Sequence, residues 1–307
     1  MTELLIGTGG WAYFQVPGLE SLEAYAKAFD FVEVNSTFYE IPGSKMVKSW
    51  RQRVPTDFEF SVRCHRSVTH KYKLEPVKEA IESFKVMTDI CRILDSRFLV
   101  LETPPTLDFT HQKVESARNL LESVDLTGIT VVWEARRKRG EPVPSGLVTL
   151  MKNYGVVNCV DLSKAEPPPE SKTVYSRLFG RGEHNVYQFT DEELTEIDEK
   201  ITRRNAETTA VSFHNVRMYK DAARYKIFRQ TGRLPSVTKA RGHQSLREVL
   251  LEDGRFPATR QELIEKQGWK VIDLTEKRRV HARVLLEKLP DQQFRNIEEV
   301  LSSLPRV

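Results

Sequence analysis

Three observations predict an α/β fold, a (β/α)8 TIM-type barrel with a small C-terminal helical appendage. Over the first 230 residues, eight β-rich runs alternate with helix-periodic runs. No hairpin signal joins consecutive β-rich runs, so their pairing is expected to be parallel. After the first run, Gly7-Thr8-Gly9-Gly10-Trp11 lacks the GxGxxG spacing that a doubly wound open sheet usually carries. A closed barrel needs about 250 residues, and the chain has 307.

In chain order, the expected strands are Leu4–Gly9, Phe31–Ser36, Phe58–Arg66, Arg97–Thr103, Thr130–Arg136, Val156–Leu162, Thr173–Gly180 and Thr208–Val216. The clearest helix is Pro76–Leu94, where Val77, Ala80, Ile81, Phe84, Met87 and Cys91 recur at three- and four-residue steps along one face. Another starts at Thr190, with Glu193 three residues on as a capping box; Leu194, Ile197 and Ile201 keep the helical spacing. Gly155 suits a helix C-terminus because glycine tolerates a left-handed backbone. The run Pro167-Pro168-Pro169 reads as a loop over the barrel mouth. Glycine, proline and basic residues in Gly232–Gly242 mark a boundary, which separates a barrel domain, 1–235, from a small helical domain, 243–307. In the latter, Thr259 with Glu262 and Asn296 with Glu299 are expected to cap helices.

Apolar residues are 39% of the chain, enough for a sizeable core. No apolar run approaches the ~20 residues of a membrane span. The first residues lack the basic and apolar regions of a secretory signal. Three widely spaced cysteines exclude a disulfide framework or a CxxC zinc site. These features together predict a cytoplasmic protein with no membrane partner. The net charge of +4 is uneven. Residues 217–247 hold nine basic side chains and one acid, Asp221, a local +8 against −4 elsewhere. Such a run either meets an anionic partner, a small molecule or nucleic acid, or is a solvated helix and linker.

Strand alternation selects the side chains that enter the barrel. Glu33 and Asn35 are expected to point inward, as are Ser61, Arg63 and His65, and Val100 with Glu102. Val132, Glu134 and Arg136 follow, then Tyr175 with Arg177, and Ser212 with His214. Barrel interiors are normally packed with branched aliphatics, so charges gathered at the C-terminal strand ends point to a site there. Cys64 turns towards the helices, as a buried structural thiol.

Several segments resemble the YecE-like family, domain of unknown function 72. They are Gly9-Gly10-Trp11, Val32-Glu33-Val34-Asn35-Ser36-Thr37-Phe38-Tyr39, Phe60-Ser61-Val62-Arg63 with Thr69-His70, and Thr103-Pro104-Pro105. Trp133-Glu134-Ala135-Arg136, Arg177-Leu178-Phe179-Gly180 and Phe213-His214-Asn215 complete the set, over roughly residues 4–230. The resemblance implies a barrel and supplies no activity. It also marks departures: the family usually has lysine at Arg63, glutamine at Glu102, histidine at Phe179 and asparagine at His214. The tail more weakly resembles a small helical module of unknown function.

Arg63, Arg136 and Arg177 offer forked donors suited to phosphate or carboxylate. Glu33, Glu102 and Glu134 could supply acid and base, with His70 or His214 as proton donor. Asn35 and Asn215 would orient substrate or water, and Trp11 and Tyr39 would wall a sugar or base. A divalent metal could be held by Glu33, His65, Glu102, Glu134, Asp161 and His214, although no close-spaced ligand motif calls for one. The first expectation is a hydrolase acting on a phosphate-bearing substrate, nucleic acid among the candidates. A sugar or sugar-phosphate isomerase is the second. The third is a non-catalytic nucleic-acid-binding protein using residues 217–247.

Overall fold

Eight parallel strands form where the sequence places them. In a computed structural model, which describes residues 3–138, 141–166 and 171–305, they are β1 (Glu3–Thr8), β2 (Phe31–Val34), β3 (Glu59–Arg63) and β4 (Phe98–Thr103). β5 (Thr130–Ala135), β6 (Val157–Asn158), β7 (Thr173–Leu178) and β8 (Thr208–Phe213) follow. The triple proline 167–169, expected over the mouth, lies outside the described residues. The strands are hydrogen-bonded in the order β6-β5-β4-β3-β2-β1-β8-β7. A parallel bridge between Val160 and Ser176 joins the two ends of this order. There Val160 N donates to Tyr175 O and Arg177 N to Val160 O, both at 3.2 Å. The result is a nearly closed (β/α)8 barrel.

Parallel strands covered on both faces are mostly apolar, and β4 is buried at all six positions, Glu102 and Thr103 included. Leu5, Phe31, Phe98, Val100, Val132 and Ala210 pack together inside the barrel. Gly7 lets β1 approach β2, since a Cβ there would stand 1.9 Å from Phe31 O. The helices of this part are α1 (Ser21–Ala28), α2 (Ser44–Gln52), α3 (Lys78–Leu94), α4 (His111–Glu122) and α5 (Ser145–Asn153). On α3 the expected apolar stripe is buried at Ala80, Phe84, Met87 and Cys91. Gly155, just beyond α5, has φ +64°.

The chain divides into two compact units, 1–178 with 203–213, and 179–202 with 214–307. These boundaries differ from the 235–243 break expected from composition. The second unit takes most of α6 (Asp191–Arg204) and all of α7 (Met218–Thr231), together with everything after residue 243. In it α8 (His243–Asp253), α9 (Arg260–Gln267), α10 (Arg283–Leu286) and α11 (Ile297–Ser302) enclose Leu246, Leu250, Ile272, Leu286 and Phe294. Three expected caps form. Thr190 and Glu193 bond reciprocally, Thr259 and Glu262 make a capping box, and Asn296 accepts from Glu299 N.

The tail is not purely helical. β9 (Ala258–Thr259) pairs antiparallel with β12 (Gln293–Phe294), and β10 (Val271–Asp273) with β11 (Arg279–His281). Strands of two or three residues are too short for alternation to reveal them. Among the described residues, no helix is long and apolar enough to cross a membrane.

Candidate active site

Register creates the central problem of this site. Glu102 and Glu134 face each other across β4 and β5, and like charges directly opposite are destabilising. Guanidinium groups resolve the conflict. Arg177, entering from β7 with 2% of its side chain exposed, places Nη1 2.7 Å from Glu102 Oε2 and also against Glu134 Oε2. Its Nη2 lies 3.1 Å from Glu33 Oε1. Arg63 Nη2 meets Glu102 Oε2 at 2.6 Å. Arg136 places Nη1 2.9 Å from Glu102 Oε1 and Nε 2.9 Å from Glu134 Oε1. Three carboxylates and three guanidiniums thus form one contiguous, charge-balanced array at the C-terminal strand ends.

The array sets its own protonation. Burial alone would raise the Glu134 carboxyl, but Arg177 and Arg136 beside it outweigh burial and hold it below the ordinary carboxylate range. Burial also opposes the charge on Arg177, and Glu33, Glu134 and Glu102 override it, so this guanidinium stays firmly protonated. Deeper in the barrel, Tyr175 Oη donates to Glu33 Oε2 at 3.0 Å and accepts from Ser61 Oγ at 2.6 Å. Alternation turned Tyr175 and Ser61 inward; that they support Glu33 became visible only when β2, β3 and β7 closed into one barrel.

The rim is built by the loops that follow β1, β2 and β3. Asn35 Nδ2 donates to Gly9 O at 2.8 Å, and its Oδ1 accepts from Arg63 at 3.3 Å. The Arg63 guanidinium stacks 3.8 Å above the ring of Phe38. The same ring meets His70 edge-on, with centroids 4.9 Å apart. His70 sits on a single π-helical turn, Ser67–Lys71, a feature often found at functional sites. Partial burial lowers its imidazole pKa; Glu102 pulls it up, while Arg63, Arg136 and Arg66 push it down, and the balance lies below the ordinary value. Trp11 packs edge-on to Trp50 at 5.3 Å. Tyr39 is 66% exposed.

His214 and Asn215 belong to the second unit. There the His214 ring lies 5.0 Å from Phe179. Asn215, buried, donates to Tyr187 O at 2.9 Å and to Asp221 Oδ2 at 2.7 Å, a structural task at the start of α7. The named metal ligands have other partners: His65 Nδ1 lies 2.8 Å from Ser67 Oγ, and Asp161 pairs with Lys164 at 3.1 Å. Among the described residues, no three His, Cys, Asp or Glu side chains are grouped to hold a metal ion. Cys64 is buried, and burial pushes its thiol pKa far up.

The basic run 217–247 is largely spent on internal pairs. Arg217 and Lys220 meet Glu252, and Arg224 meets Asp191 and Asp221. Arg229 meets Asp198, Arg241 meets Glu276 and Arg247 meets Glu298.

The family described as "Protein of unknown function DUF72" matches residues 5–240. UPF0759 protein YecE of Escherichia coli K12 is 33% identical over 67 residues, which are 22% of this chain and a quarter (25%) of that relative's length. A DUF72 family protein from Thermotoga maritima MSB8 superposes with a TM-score of 0.62 at 23% identity, over 74% of this chain and 99% of its own. Another, from Enterococcus faecalis V583, gives 0.60 at 18% identity, over 76% and 98%. The match over most of the chain, with the same barrel in these neighbours, makes this protein a member of the DUF72 family.

Proposed function

We propose that this barrel is a hydrolase acting on a phosphate-bearing substrate at the C-terminal ends of its strands. The observation that carries this reading is the surroundings of His70. His70 meets edge-on the same Phe38 ring on which the Arg63 guanidinium stacks, and its partial burial lowers the imidazole pKa. Such a place keeps the imidazole neutral at pH 7, ready to accept a proton, and suits an anion beside it. Arg136, 38% exposed and fixed by Glu134 and Glu102, is the guanidinium set to meet the phosphoryl oxygens. His70 takes a proton from water as the water oxygen attacks phosphorus. The P–O bond to the alcohol breaks with its electron pair on oxygen, and the imidazolium returns the proton to that oxygen. Glu134, held ionised, positions Arg136 and donates no proton.

A panel of phosphomonoesters and phosphodiesters, assayed with His70→Asn and Arg136→Met variants, tests this reading. His70→Asn is expected to lower kcat by about 100-fold or more, and Arg136→Met to raise KM. The wild-type rate should rise with pH through a pKa below 6.5, the ordinary imidazole value. Phosphate release indifferent to His70→Asn would sink the proposal. A second reading, a sugar or sugar-phosphate isomerase, draws on the charge balance of the inner array, which suits a hydroxyl-rich substrate. Aldose–ketose interconversion without phosphate release would favour it.

A further inference from the structure

We infer that the phosphate-bearing substrate is a single-stranded nucleic acid laid across the barrel mouth, an inference that rests on the phosphate reading above. Two loops at the mouth are cationic. After β3, residues 64–77 carry exposed Arg66, Lys71 and Lys73; after β5, Arg136, Arg137 and Lys138 follow one another. Among the described residues, Arg66, Lys73 and Lys138 have no carboxylate at ion-pair distance. Of the acids in these loops, Glu75 meets Lys113 on α4, and Glu141 neutralises Arg137 within the loop itself. Most of the basic side chains in 217–247 are paired, whereas Arg66, Lys73 and Lys138 stand exposed at the mouth. Strands β3 and β5 flank β4, which puts the loop bases about 10 Å apart. At a rise of ~3.4 Å per nucleotide, that distance covers roughly three phosphates.

The loops after β1 and β2 supply aromatic surface instead. Tyr13 is 84% exposed, Tyr39 is exposed as well, and Trp11 lies two residues before Tyr13. This exposure is not slack in the chain. Phe14 packs edge-on to Tyr25 and Phe29, with centroids at 5.6 and 5.8 Å, and Asn35 ties down Gly9. Cations along one side and anchored, outward aromatic rings along the other match a strand whose phosphates face the β3 and β5 loops and whose unpaired bases stack on tyrosine. A duplex would offer the charge without free base faces. A sulfated polysaccharide would offer charge without bases.

The test is fluorescence anisotropy of a labelled ten-nucleotide single strand with the full chain, at several salt concentrations, with a matched duplex and heparin as comparison probes. Saturable binding is expected at about 50 mM salt, with log K falling against log salt at about 0.7 per phosphate contact. Arg66→Glu with Lys138→Glu should weaken binding at least tenfold and flatten that slope. Tyr39→Ala should weaken it roughly tenfold with the slope unchanged. Circular dichroism confirms that each variant is folded. The inference is overturned by absence of saturable binding, by equal binding of duplex or heparin with no effect of Tyr39→Ala, or by greater sensitivity to Arg233→Glu with Lys239→Glu than to the rim pair. Binding as expected with no phosphate ester cleaved would remove the hydrolase reading alone. Hydrolysis of small esters lost in His70→Asn, without oligonucleotide binding, would remove this inference alone.

Discussion

The barrel mouth and the second unit both bury carboxylates beside arginines, with opposite outcomes. At the mouth, Glu134 touches two guanidiniums and is held below its ordinary range despite burial. In the second unit, Asp221 accepts from Phe189 N at 3.0 Å and from Asn215, while Arg224 Nη1 stands 3.4 Å away. Burial wins there, and the Asp221 carboxyl is raised to about 6. Two guanidiniums in contact outweigh burial where one at longer range and two neutral donors do not. Arg66, Lys73 and Lys138 at the mouth stand open to solvent, whereas Arg217, Lys220, Arg229 and Arg247 of the second unit meet acids.

The largest effect that could break this comparison is Arg177→Met. It removes the partner of three buried carboxylates and should cost 3–5 kcal/mol or more, roughly the range for a broken buried pair, read by urea denaturation. A loss under about 1 kcal/mol would show that the array is not held by charge. Adding Glu102→Gln should recover part of the loss.

Next comes pH. The folded Asp221 carboxyl takes up its proton near 6, whereas the unfolded one waits until about 3.8. The second unit should therefore gain stability as pH falls from 6 towards 4, by up to roughly 3 kcal/mol. Glu134 has the opposite sign: its contribution is full above 4.5 and is lost as pH falls through its lowered folded value. Hydrogen exchange along α7 would separate the two, and Asp221→Asn should abolish the gain near pH 5.

Thr190→Ala, which removes the cap of α6, should cost about 1 kcal/mol in thermal unfolding. The smallest effect is expected from Arg217→Gln with Lys220→Gln. Their partly exposed pairs with Glu252 should contribute less than about 1 kcal/mol, and oligonucleotide affinity should not change.

Much of the fold was legible because parallel strands buried on both faces read as short apolar runs, and helix caps such as Thr190–Glu193 have fixed spacing. Alternation also placed Glu33, Arg63, Glu102, Glu134 and Arg177 on the inner face, since one-residue steps reverse the side. It could not reveal which charges cancel. The +8 of residues 217–247 read either as an anion face or as a solvated helix and linker, and most of its cations meet acids such as Asp191, Asp198, Glu252 and Glu298, some of them distant in sequence. His214 and Asn215 follow β8 directly, and the bond from Asn215 to Asp221 was not legible from strand alternation.

By itself, the sequence determined the strand count, the barrel and the side chains that face its axis, because these follow from local periodicity. Only the tertiary structure decided which arginine meets which glutamate, that Tyr175 and Ser61 stand behind Glu33, and that the rim cations are left open. Those outcomes depend on distances between residues up to 142 positions apart, as with Glu33 and Tyr175, and periodicity along one strand carries no information about such distances.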